Sequence, residues 1–163
     1  MSRPVSLFLS GLLCVIASAT ALAQTPPVLV GAIHGHEVCP QAIEFCGGRA
    51  WFAGKLVGQL LDQGPSTGSF LVGVSHEDLN QTDAGVTQIT GGEWVIVLKQ
   101  DRQLILGMVQ PGGTLTYRAA SNAFDVALML LITHGDGSGG AVNFRGVLDH
   151  NPFPPEIIGM MSQ

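Results

Sequence analysis

From Trp51 onward, short apolar stretches alternate with turn residues at close spacing, the pattern of an antiparallel β protein. Residues 51–61 put Phe52, Gly54, Leu56, Gly58 and Leu60 on one face, and residues 69–76 do the same with Phe70, Val72, Val74 and His76. Val86–Thr90 and Trp94–Lys99 flank Gly91-Gly92, which reads as a tight hairpin. Gln103–Val109 and Thr114–Arg118 flank a second turn at Pro111-Gly112-Gly113. Residues 124–133 are almost continuously apolar, with Phe124, Val126, Leu128, Leu130 and Ile132 in phase. In residues 141–149, Val142, Phe144, Gly146 and Leu148 share a face.

These segments predict about eight strands and no helix. The expected fold is all-β, an antiparallel closed barrel of about eight strands, with a two-sheet β-sandwich as the alternative. Inward glycines at 54, 58 and 146 favour the barrel, where glycine lets strands coil sharply. Gly135-x-Gly137-x-x-Gly140 has the spacing of a dinucleotide fingerprint. A strand pattern follows it, so no helix N-terminus is there to hold a pyrophosphate, and it reads as a hairpin loop.

The N-terminus has a different texture. Arg3, an apolar run from Leu7 to Ala17 and the small residues of Ala21-Leu22-Ala23 form the three-part pattern of a secretory signal peptide. The expected organisation is a signal at 1–23, an irregular segment at 24–50 and a barrel domain at 51–163 with a Pro-rich C-terminal tail. Within the irregular segment only residues 28–33 suggest a short strand. The exported chain would contain no apolar run long enough to span a membrane. Its expected location is secreted or periplasmic.

Export changes the charge and the cysteine count. Without Arg3, six Lys+Arg face twelve Asp+Glu, a net charge of −6. The basic residues are scattered, so the chain lacks the basic face that nucleic acid requires. Cys14 would leave with the signal. Cys39 and Cys46 then form an even pair in an oxidising compartment, and a disulfide is expected between them. Asn80-Gln81-Thr82 is a glycosylation sequon, meaningful in a eukaryotic secretory pathway.

All five histidines lie in the exported part. His76 and His150 each end a strand, in phase with an apolar face. Strict up-and-down alternation puts both at one mouth of the barrel, with Glu77, Asp78 and Asp149 beside them. They are the candidate acid/base pair. The same phase argument makes Phe70, Val72, Phe144 and His134 candidate ligand-binding residues, with His134 at the opposite mouth. His34-Gly35-His36-Glu37 is the densest ligand-type cluster. On a strand, His34 and His36 point the same way and could bind a divalent metal such as Zn²⁺ or Cu²⁺. The cupin pattern is not met, because Glu37 is adjacent to His36 and Glu44 is too far.

The Ile89-Thr90-Gly91-Gly92 stretch and the pieces Phe52-Ala53-Gly54 and Phe144-Arg145-Gly146 are similar to the dirigent and allene-oxide-cyclase type of small eight-stranded barrel. The fuller glycine signature of that group is absent here, and no functional residue carries over. Three functions are therefore expected in turn: a secreted barrel binding a small apolar ligand or a partner protein; an isomerase or cyclase using histidines at the barrel mouth, with or without metal; and an envelope structural or interaction protein. A cavity beside His76 and His150 favours the first two, and a filled interior the third.

Overall fold

The computed structural model describes residues 29–60, 64–100 and 102–162. The expected signal peptide and Cys14 lie outside them. The described residues form nine strands: β1 (Leu29–Cys39), β2 (Ala50–Leu60), β3 (Gly64–His76), β4 (Val86–Leu98), β5 (Leu104–Val109), β6 (Thr114–Arg118), β7 (Ala123–His134), β8 (Ala141–Asp149) and β9 (Glu156–Ser162). Every pairing is antiparallel. Eight strands close a barrel in the order β1-β2-β3-β4-β5-β7-β8-β9, and β9 returns to β1. β6 is the ninth, outside that ring order. It pairs with β4 at Val86–Gln88 and with β7 at Ala123–Ala127, in line with β5.

The barrel is as expected, but its parts differ from the sequence reading. Residues 29–39, read mostly as irregular, form β1. Residues 156–162, read as tail, form β9, and together the two close the barrel. Gly91-Gly92 does not reverse the chain. β4 runs straight through it from Val86 to Leu98, with φ of 148° and 151° at the two glycines. Ser75 pairs with Gly91 and His76 with Ile89, so Thr90 is an extra residue and the glycines bend the strand. Pro111-Gly112-Gly113 also fails to reverse direction, since β5 and β6 both run antiparallel to β4 and β7.

The inward glycines come in facing pairs: Gly31 with Gly58, Gly35 with Gly54, and Gly146 with Gly159. Each pair leaves a patch without side chains, and at the second and third pairs a phenylalanine ring takes the space. A Cβ on Gly35 would stand 2.7 Å from Phe70 Cζ, and one on Gly146 would stand 2.6 Å from Phe144 Cζ. This is how a narrow barrel fits two phenylalanines.

The interior divides into two halves. At one end Leu29, Leu56, Leu98, Ile105, Ile132 and Val142 are at most 2% exposed and pack solidly. Burying each such side chain contributes about 1.5–3 kcal/mol. At the other end, where β1, β3 and β8 finish, the packing opens.

Candidate functional site

A cavity of about 80 Å³ occupies that open half, with walls that include Phe52, Phe70, Val72, Trp94, Leu128 and Phe144. Each comes from the inward phase of its strand, so the walls follow from the period-2 pattern. Three ionisable residues also line it: Glu37 from β1, His76 from β3 and His150 just past β8. All three elements run toward the same end of the barrel.

Glu37 is inward because β1 alternates Leu29, Gly31, Ile33, Gly35 and Glu37 against outward Ala32, His34 and His36. Burial against apolar walls pushes its carboxyl above the ordinary carboxylate range. His150 is half-buried, its ring tilted against Phe124 with centroids 5.3 Å apart. The His150 backbone N–H donates to the Asn122 carbonyl at 3.2 Å. Desolvation lowers its pKa, and the neighbouring Asp149 charge opposes part of that shift. His76 Nδ1 contacts the Glu77 carbonyl oxygen at 2.6 Å.

The Cys39–Cys46 loop is fastened at this mouth. The two cysteines are bonded, with Cα atoms 5.9 Å apart. A short 3-10 turn, Glu44–Cys46, fills the loop and ends at Gly47 with φ of 66°. Trp51 Nε1 donates to the Cys46 carbonyl at 3.0 Å, and Gln41 bonds to the backbone of His76. The loop after β3 adds Leu79 to the cavity lining. Asn80 in that loop forms a local turn, accepting from the Thr82 hydroxyl at 2.8 Å.

A second cluster lies on the outside of the barrel. His34 and His36 project outward from β1, with ring centroids 5.6 Å apart. Glu156 on β9 stands directly opposite His36. His34 Nε2 and Glu156 Oε1 are in contact as an ion pair or hydrogen bond. The candidate ligand atoms of the three residues all lie within 4.8 Å of one another, a set that could hold a metal ion.

The structure thus brings His76 and His150 to one cavity, along with Phe70, Val72 and Phe144. It does not bring His134 there. Leu106 pairs with His134 and Gly107 with Ile132, so Thr133 is an extra residue in β7. This bulge takes His134 off the inward phase and leaves it exposed at the far end. Two residues were missed by sequence reasoning. Glu37 was visible in the alternation of β1, had that strand been extended past Ile33. Glu156 became a neighbour of His36 only through barrel closure, for which the local sequence has no signal.

Among the described residues, no helix is long and apolar enough to cross a membrane. No protein-family model matches the chain, and no curated protein or solved structure matches it.

Proposed function

We propose that this is an exported β-barrel protein that takes a small apolar molecule into the open half of its interior. The observation that carries this reading is the cavity, with apolar walls and polar groups only at its mouth. Its size bounds the ligand. About 80 Å³ is roughly half of the ~150 Å³ cavity that takes up a benzene ring. That suits a short branched chain, or a small ring with one edge left in the open mouth. Glu37, His76 and His150 would meet one polar end of such a molecule. The Cys39–Cys46 bond supports an oxidising compartment, secreted or periplasmic.

Titration with toluene, cyclohexanol and phenol tests the reading, with tryptophan fluorescence, recorded also in Trp51→Phe to isolate Trp94, and the thermal midpoint as readouts. Binding shifts the emission and raises the midpoint, and Val72→Phe, which fills the cavity, removes both effects. If none of the three probes changes either signal, or if Val72→Phe responds like the parent, the reading is wrong.

The shared cavity also favours a second reading, an isomerase or cyclase in which His76 and His150 move protons on a bound molecule. Deuterium incorporation into cyclopentanone in heavy water is the direct assay. Catalysed exchange that His76→Gln and His150→Gln each abolish supports the enzyme. Exchange no faster than in buffer leaves a binding protein. Exposed Leu71, Val97, Leu104 and Met108 on the adjoining strands β3, β4 and β5 support the partner-protein alternative.

A further inference from the structure

We infer that His34, His36 and Glu156 form a binding site for one divalent transition-metal ion, of the Zn²⁺ or Cu²⁺ class, on the outer face of the barrel. The site is separate from the interior cavity and does not depend on it.

Three observations converge. The first is donor chemistry: two imidazoles and one carboxylate suit borderline first-row cations, whereas Ca²⁺ and Mg²⁺ prefer all-oxygen shells. The second is placement. His34 and His36 are two residues apart on one strand, so their side chains leave the same face. Glu156 reaches them from β9, fixed opposite His36 by a register that runs unbroken from Gly31–Met161 to His36–Glu156. One residue further, the Glu37 N–H donates to the Pro155 carbonyl at 2.8 Å. The backbone therefore brings the three donors together without the ion. The third is distance. Ligand atoms around a tetrahedral ion with bonds of ~2.1 Å lie ~3.4 Å apart. The three donors already lie within 4.8 Å of one another. Rotation of exposed side chains closes the gap, and the His34–Glu156 contact exchanges for two bonds to the ion.

The ligands are also open on the solvent side, with His34 58% and Glu156 28% exposed. Water or an external ligand completes the shell. Because His34 and His36 sit on the first strand of the barrel and Glu156 on the last, the ion would cross-link the closing seam.

The test uses the purified, oxidised protein without an affinity tag. Zn²⁺, Cu²⁺ and Ca²⁺ are each titrated alone, by calorimetry and by equilibrium dialysis with elemental analysis. The expected result is one equivalent of Zn²⁺ or Cu²⁺ and no uptake of Ca²⁺. His36→Gln, which leaves the His34–Glu156 contact in place, should weaken binding at least about 100-fold, and Glu156→Gln at least about tenfold. The parent should also gain thermal stability with rising metal concentration, as a ligand specific to the folded state requires, and His36→Gln should not. Absence of uptake at 0.1 mM free metal overturns the inference. So does uptake that His36→Gln and a His34→Gln/His36→Gln variant both leave intact, which would place the ion elsewhere.

Discussion

His76 and Gln41 hold each other through two hydrogen bonds. The His76 N–H donates to Gln41 Oε1 at 3.0 Å, and Gln41 Nε2 donates to the His76 carbonyl at 2.9 Å. One side-chain amide thereby replaces a missing strand neighbour at the end of β3 and ties the disulfide loop to the cavity mouth. Gln41→Ala should cost about 1–2 kcal/mol, the net value of two partly buried hydrogen bonds. Urea unfolding measures it, and a loss under 0.3 kcal/mol would show the bridge to be incidental.

The disulfide and the Gln41 bridge should be coupled. Converting Cys39 and Cys46 together to serine removes the cross-link of a short loop, and the chain-entropy account gives a loss of roughly 2–3 kcal/mol. In that background the loop is already loose, so Gln41→Ala should cost less than it does in the oxidised protein. A double-mutant cycle reads the difference, and strict additivity would rule out the coupling.

His150 sets one pH dependence. Its folded pKa lies below the ordinary histidine value of about 6.5, so the folded state favours the neutral ring. That stability is complete above pH ~6.5 and is lost as pH falls through the folded pKa. The stability of the parent relative to His150→Gln should therefore be greatest near pH 8 and shrink toward pH 5. Asp149 limits the size of the effect. A gap that widens on acidification contradicts the assignment.

Glu37 sets the opposite one. Its carboxyl is raised by burial, so its favourable protonated form is present below the unfolded value and is lost as pH rises through the folded pKa. Glu37→Gln should raise the thermal midpoint at pH 7, and the gain should vanish below about pH 4.5. An equal gain at both pH values would point to a cause other than ionisation.

The glycine patches should be intolerant of a single methyl. In Gly35→Ala the added carbon meets the Ala53 carbonyl oxygen and the Phe70 ring, and overpacking of this kind costs about 1–3 kcal/mol. Adding Phe70→Leu, which removes the ring, should recover part of the loss in chemical denaturation.

Strands β2, β7, β8 and the 69–76 part of β3 were legible because Phe, Val and Leu keep a period of two in them, with glycines at 54, 58 and 146 in phase. β1 was not, because two of its inward positions are Gly31 and Gly35, and two of its outward ones are histidines. β9 hides its Ile157, Gly159 and Met161 phase behind Pro152, Pro154 and Pro155. The shared mouth of His76 and His150 was legible for an instructive reason. Two expected reversals, at Gly91-Gly92 and at Pro111-Gly112-Gly113, do not occur, and two cancelled errors leave the direction of β8 unchanged. The error at His134 had no such partner, because a one-residue bulge at Thr133 leaves no mark in composition.

The pairing of β1 with β9 also dictates an order of assembly. Every other neighbour in the ring is adjacent in sequence or separated only by β6, so those hairpins can form locally as the chain collapses. The last contact must wait for residues 156–162. Until they arrive, β1 and β8 each present a bare row of backbone donors and acceptors, which is the surface that recruits another strand. A chain stopped before Glu156 would keep every hairpin up to β7–β8, and its most available substitute for β9 would be the edge of another copy.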